Sequence, residues 1–177
     1  MVRFAPGAGL RIFDGLLRAQ GSAEAPIVLE GQDRVTRGSW NGLFFSEKST
    51  VQLDHVTVSQ CGAPTGGGGC LVMREKATPV LRDVSVRDSG SVGVLVADDG
   101  SAFGSGSARL SVSGSAGPAV VMAANQADSI PPSLTLSGNA PDAVELHGHV
   151  SRTQTGPTRV FPSSSPNPWT SMAPHPW

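Results

Sequence analysis

Charge is scarce in this chain. Only 15% of the 177 residues are Asp, Glu, Lys or Arg, and the formal net charge is −1. A nucleic-acid binder presents a basic stripe, and its absence here argues against that class. No apolar run approaches the length that crosses a bilayer, so the chain is not read as membrane-spanning. No window carries apolar residues at i, i+3 and i+4 over a helical length. The opening Met1-Val2-Arg3-Phe4 has neither an apolar h-region nor a cleavage site and is not a signal peptide. No cofactor and no metal ion is expected.

What is abundant is glycine and proline, 22 and 14 residues with no tyrosine, which suits a fold with many turns per unit length. The length is enough for one domain with a sizeable core. Within it a pattern recurs. Val56-Thr57-Val58 returns as Val84-Ser85-Val86, Leu110-Ser111-Val112 and Leu134-Thr135-Leu136, in steps of 28, 26 and 24. Leu43-Phe44-Phe45 returns as Leu71-Val72-Met73, Val94-Leu95-Val96, Val120-Val121-Met122 and Val144-Glu145-Leu146, in steps of 28, 23, 26 and 24. Two series drifting together at one period mark a solenoid, propeller or array.

The strand chemistry chooses among these. Each run is short, apolar or β-branched, and bounded by Gly, Ser, Asp or Pro. The Leu-x-x-Leu-x-Leu frame of leucine-rich repeats is missing, and propeller blades are much longer. The period therefore predicts an all-β fold, a parallel β-helix of about five coils over residues 1–150. Coils stacked at about 4.8 Å would make a rod about 25 Å long. Val2 and Phe4 already alternate, so the start reads as the middle of a coil. The expectation is a piece of a larger protein.

The stretch Gly15-Leu16-Leu17-Arg18-Ala19-Gln20-Gly21-Ser22, then Pro26-Ile27-Val28-Leu29, then Trp40-Asn41-Gly42-Leu43-Phe44-Phe45 carries a family resemblance. It resembles the G-L-x-A-x-G-T … P-I-x-F … W-x-G-I-x-F coil of bacterial right-handed parallel β-helix proteins, the pectin-lyase-like repeat proteins of cell surfaces and secretions. The specific motif lies in the first quarter, and the coils from 46 to 146 are compatible with it. The resemblance implies a right-handed β-helix and an extracellular or cell-surface setting. It implies little chemistry, because the family holds polysaccharide lyases, hydrolases, adhesins and modules of unknown role.

Alternation assigns facing. Leu43, Phe45, Leu71, Met73, Val94, Val96, Val120, Met122, Val144 and Leu146 point inward, as do Val56, Val58, Val84, Val86, Leu110, Val112, Leu134 and Leu136. Thr57, Ser85, Ser111 and Thr135 point outward as a hydroxyl row. The other outward row is Phe44, Val72, Leu95 and Val121, ending in Glu145. An apolar outward row marks either a binding interface or a face covered by a loop or tail of the same chain.

Cys61 and Cys70 bracket a glycine-rich loop. They are either a disulfide pinning that loop or two small buried hydrophobes. Asp98-Asp99-Gly100 is the best carboxylate pair for glycoside hydrolysis, yet no Asn-Thr-Asp and no Arg-x-Lys accompanies it, so it reads as a turn. His147 and His149 alternate, but two ligands are too few for a metal site. Arg82, Asp83, Arg87 and Asp88 read as surface charges. Ser85 and Ser111 lack a His and an acid, so nucleophilic catalysis has no support. Residues 151–177 are rich in Pro and Ser, lose the period and read as a disordered tail, with Trp169 and Trp177 able to dock on the apolar row or on the last coil. The leading functional reading is a non-catalytic surface module for adhesion or for binding polysaccharide or another protein domain. The alternatives are a fragment of a polysaccharide lyase or glycoside hydrolase, and a purely structural spacer.

Overall fold

The short β-branched runs pair side by side, each with its counterpart one repeat away, in a single parallel sheet. The computed structural model describes residues 1–65 and 68–151. Its strands are β1 (Val2–Phe4), β2 (Gly9–Gln20), β3 (Ile27–Gly31), β4 (Gly42–Ser59), β5 (Gly69–Met73), β6 (Val80–Arg87), β7 (Val92–Val96), β8 (Ser111–Ser113), β9 (Val120–Ala123), β10 (Thr135–Ser137) and β11 (Val144–His147). The main path runs β10-β8-β6-β4-β5-β7-β9-β11. β2 and β3 also pair with β4, and β1 pairs with β3. The 18-residue β4 therefore joins two arms, its start pairing with β5 and its later part with β6. The sheet curls into a half-barrel around that bend.

Register follows the period. Leu43, Leu71, Val94, Val120 and Val144 stand side by side, and so do Phe45, Met73, Val96, Met122 and Leu146. Leu10 and Ile12 of β2 continue these two rows on the far side of β4. In the other arm Ile27, Val56 and Val84 align, as do Thr57, Ser85, Ser111 and Thr135. A one-residue slip would turn every one of these side chains to the wrong face, so the pattern holds the register.

The bends of the β4–β6 arm have their own period. His55, Asp83, Arg109 and Ser133 all take positive φ, at 49°, 51°, 53° and 60°. Their spacings are 83 − 55 = 28, 109 − 83 = 26 and 133 − 109 = 24. A second column, Gln60, Asp88, Gly114 and Gly138, follows the same strands at 54°, 53°, 68° and 66°. Left-handed backbone costs a residue with a Cβ roughly 1–2 kcal/mol. The first column interrupts β4 and β6 between paired segments, and the second follows the last paired residue of β4, β6, β8 and β10.

The inward rows make one apolar core. Leu43, Leu71, Val86, Val94, Val96, Val112 and Val120 are wholly buried. Trp40 is buried too. Its ring stacks on Phe4 at 3.9 Å, and its Nε1 donates to the Ser59 carbonyl at 2.8 Å. Gly42 has φ 101°, and a Cβ there would come within 2.3 Å of the Cys70 carbonyl oxygen, so only glycine fits this strand entry. The one helical element among the described residues is a 3-10 helix, Ala124–Ser129, whose Ala124, Asn125, Gln126 and Ala127 are buried. Residues 152–177, with Trp169 and Trp177, lie outside the described residues.

Candidate functional site

The outward apolar row is real in register but is not a bare strip. Phe44 pairs with Val72, Val72 with Leu95, Leu95 with Val121 and Val121 with Glu145. Phe44, Leu95 and Val121 are half-buried, whereas Val72 is wholly buried. The loop between the two cysteines supplies part of the cover. Cys61 and Cys70 are both buried and are joined as a disulfide, with Cα atoms 4.8 Å apart. Thr65 and Val72 line one cavity, and a Cβ on Gly68 would lie 3.7 Å from Leu95 Cδ2.

At the β2 end of this row the cover stops and a cavity opens. Its volume is about 470 Å³, and Arg11, Phe13, Asn41, Phe44, Arg74 and Glu75 are among the residues that line it. The sequence positions these groups simply. Arg11 sits one register step from Phe44, and its guanidinium carbon lies 4.9 Å from the ring centroid. That is a cation–π contact, which holds the charge beside the aromatic face. Phe13 is 57% exposed. Its carbonyl accepts from Ser46 Oγ at 2.7 Å, which ties this irregular point of β2 to β4. Asn41 Nδ2 donates to the Gly7 carbonyl at 2.7 Å. Two aromatic rings together with two guanidiniums, an amide and a carboxylate around one cavity suit a ligand with flat apolar faces and polar edges.

The remaining chemistry-bearing residues serve the turns. Asp98 accepts from the backbone N–H of Glu75 at 2.6 Å, Gly100 at 3.1 Å and Ser101 at 2.8 Å. Burial opposes its ionisation, but hydrogen bonds from Ser101, Glu75 and Gly100 outweigh that and hold its pKa below the ordinary carboxylate value. Asp98 thus stitches one repeat to the one before it. Asp99 is exposed beside it. Asn139 has the same role in a later turn. It accepts from Ser115 N–H at 3.0 Å and donates to the Val112 carbonyl at 2.9 Å, while Asp142 receives the N–H groups of Gly138 and Asn139.

The charged residues of the bends fall into a ladder that sequence reading treats as scattered surface charge. Asp83 takes both Nε and Nη2 of Arg109 at 2.6 Å. That pair lowers the Asp83 pKa and raises that of Arg109. His55 Nε2 lies 3.8 Å from Asp83 and 3.7 Å from Asp54. Asp54, His55 and Asp83 bring three possible ligand atoms within 4.8 Å of one another. The Asp83 carboxylate is already committed to Arg109, so the group reads as stacked charge at a bend. Arg82 donates to the Gly106 carbonyl, Arg87 to Ser85 Oγ, and Asp88 faces Arg37 at 3.9 Å. His147 ends β11 and His149 follows it, both exposed, and neither belongs to a three-ligand group. Ser85 and Ser111 stand side by side on the outward face with hydroxyl neighbours.

No helix among the described residues is long and apolar enough to cross a membrane. No protein-family model, curated protein or solved structure matches this chain.

Proposed function

We propose that this chain is a non-catalytic carbohydrate-binding module built as a right-handed parallel β-helix of about five coils, part of a secreted or surface protein. The groove beside Phe44 carries the reading. Phe13 and Phe44 offer apolar ring surface, and Arg11, Asn41, Arg74 and Glu75 offer hydrogen bonds around it. Sugar rings present that same combination, an apolar face rimmed by hydroxyls. The regular registers and the Gly15–Phe45 motif support the β-helix assignment, and a disulfide between Cys61 and Cys70 suits an oxidising compartment. The Asp98 carboxylate is engaged by three backbone N–H groups, which supports a turn role over catalysis.

The test is a glycan array followed by titration calorimetry on the best ligand. Arg74→Ala should weaken binding tenfold or more while leaving the melting temperature near that of the parent, and Phe44→Ala should weaken it as much at some cost in melting temperature. A parent chain that binds no glycan, or variants that bind as tightly, would refute the assignment. Release of reducing ends from a bound polysaccharide would replace it with the enzyme reading.

A further inference from the structure

We propose that Asp98 is a positioning residue for the groove: from the next repeat, its carboxylate holds the turn that carries Arg74 and Glu75 to the groove wall. The inference rests on the carbohydrate reading above and adds the residue that sets the shape of that site.

The turn needs such a hold. The Ala77 N–H donates to the Arg74 carbonyl at 3.1 Å and closes a four-residue turn. Its central residues, Glu75 and Lys76, take φ of 54° and 64°. Positive φ at both central positions is the type I′ combination, which Gly, Asn and Asp usually fill. Glu and Lys carry a Cβ that crowds the backbone there. Among the described residues, no other two consecutive positions both have positive φ. A backbone of this kind persists only where its surroundings over-determine it, and such places gather at ligand sites. Arg74 and Glu75 are exposed and line the groove. The ends of the turn are fixed by Arg74 N–H, which donates to the Phe45 carbonyl at 3.0 Å, and by the Ala77 bond. The centre is fixed by Asp98, whose Oδ2 accepts from Glu75 N–H at 2.6 Å. Lys76 lies against the same Asp98 turn, where a Cβ on Gly100 would collide with its Cγ.

The two carboxylate oxygens have separate partners. Oδ1 accepts from Gly100 N–H at 3.1 Å and Ser101 N–H at 2.8 Å, closing the turn of Asp98 itself. Oδ2 reaches across to Glu75. An isosteric amide therefore splits the two roles. In Asp98→Asn the Gly100 and Ser101 N–H groups select the amide oxygen, and the NH2 then faces Glu75 N–H. Two donors cannot bond, so the cross-repeat tie is lost while the Asp98 turn keeps its acceptor.

Titration calorimetry of the parent with cellohexaose and with hexagalacturonate selects the tighter probe. Asp98→Asn should raise the Kd for that probe about tenfold, the factor expected for one hydrogen bond to a charged group. Asp142→Asn is the matched control. Asp142 accepts from Gly138 and Asn139 N–H at 2.9 and 2.7 Å and does not line the groove. That variant should lower the melting temperature to a similar extent and leave the Kd unchanged. NMR of the arginine Nε–H groups, with the probe at saturation, gives a second readout. In the parent the probe should shift both Arg11 and Arg74; in Asp98→Asn it should still shift Arg11 but not Arg74. A general loosening of the fold would lose both shifts. An unchanged Kd in Asp98→Asn, an equal loss of binding in Asp142→Asn, or a retained Arg74 shift would overturn the role of Asp98 and leave the carbohydrate reading standing. A parent that binds neither probe would overturn both.

Discussion

Replacing Val84 with Asp probes the facing of the whole strand stack. Val84 is 1% exposed and stands beside Val56 in an inward row. Losing its apolar burial costs roughly 1.5–3 kcal/mol. A carboxylate in that position has no partner, which costs several kcal/mol more, or forces the group to stay protonated. The sum, about 4–5 kcal/mol at pH 7, is comparable to the whole stability of a weakly stable domain, which starts near 5 kcal/mol. The pH dependence gives the prediction a second handle. Burial raises the folded-state pKa of the introduced carboxyl above its unfolded value near 3.9. Between those two values the folded state holds a proton that the unfolded state has lost. Stability therefore falls as pH rises through that window, by about 1.4 kcal/mol per unit. Val84→Asp should accordingly be least damaging in acid. Ser85→Asp is the control. Ser85 faces outward and accepts from Arg87 Nε at 3.0 Å, a partner that an Asp would keep. Its effect should stay within about 0.5 kcal/mol. Urea unfolding followed by circular dichroism, with an unchanged m-value, measures both. Equal midpoint shifts, or a Val84→Asp penalty indifferent to pH, would refute the assigned facing.

Gly42→Ala should cost about 3 kcal/mol or prevent folding, since φ is 101° and the new Cβ would meet the Cys70 carbonyl, whereas Gly15→Ala, with nothing within 4 Å, should be neutral; thermal melts of the pair decide this. Reducing the Cys61–Cys70 disulfide, which spans 9 residues, should lower unfolding stability by about 2–3 kcal/mol, and alkylation with mass spectrometry before and after reduction should count no free thiol and then two. Asp98→Asn should lower stability at pH 7 and narrow the gap between pH 7 and pH 3. Because the folded Asp98 pKa is depressed, its contribution is present above the unfolded value near 3.9 and is lost as pH falls through the folded one. A variant whose acid sensitivity equals the parent's would refute the role assigned to the Asp98 carboxylate.

The rows were legible from residue order alone. Val58, Val86, Val112 and their neighbours alternate at period two within a repeat of 23–28 residues. Those two periods together specify both the buried face and the strand that each residue pairs with, since a slip of one residue inverts the face. The turn role of Asp98 was likewise legible in Asp-Asp-Gly, although its reach across to Glu75, 23 residues earlier, was not. Other features depended on contacts between distant residues. Val72 belongs by alternation to the outward row, yet it is wholly buried, which the alternation does not show. The bend columns contain Gln60 and Arg109, residue types without the enrichment at positive φ that Asn, Asp and His show, so only the stacking of one repeat on another reveals them. The 3-10 helix Ala124–Ser129 is too short to show helical periodicity. The groove joins Arg11 and Phe13 to Phe44 and Arg74, side chains drawn from three repeats. Alternation is a local property and shows in the order of residues. Cover, bends and grooves arise where one repeat meets another, and the fold alone brings those surfaces together.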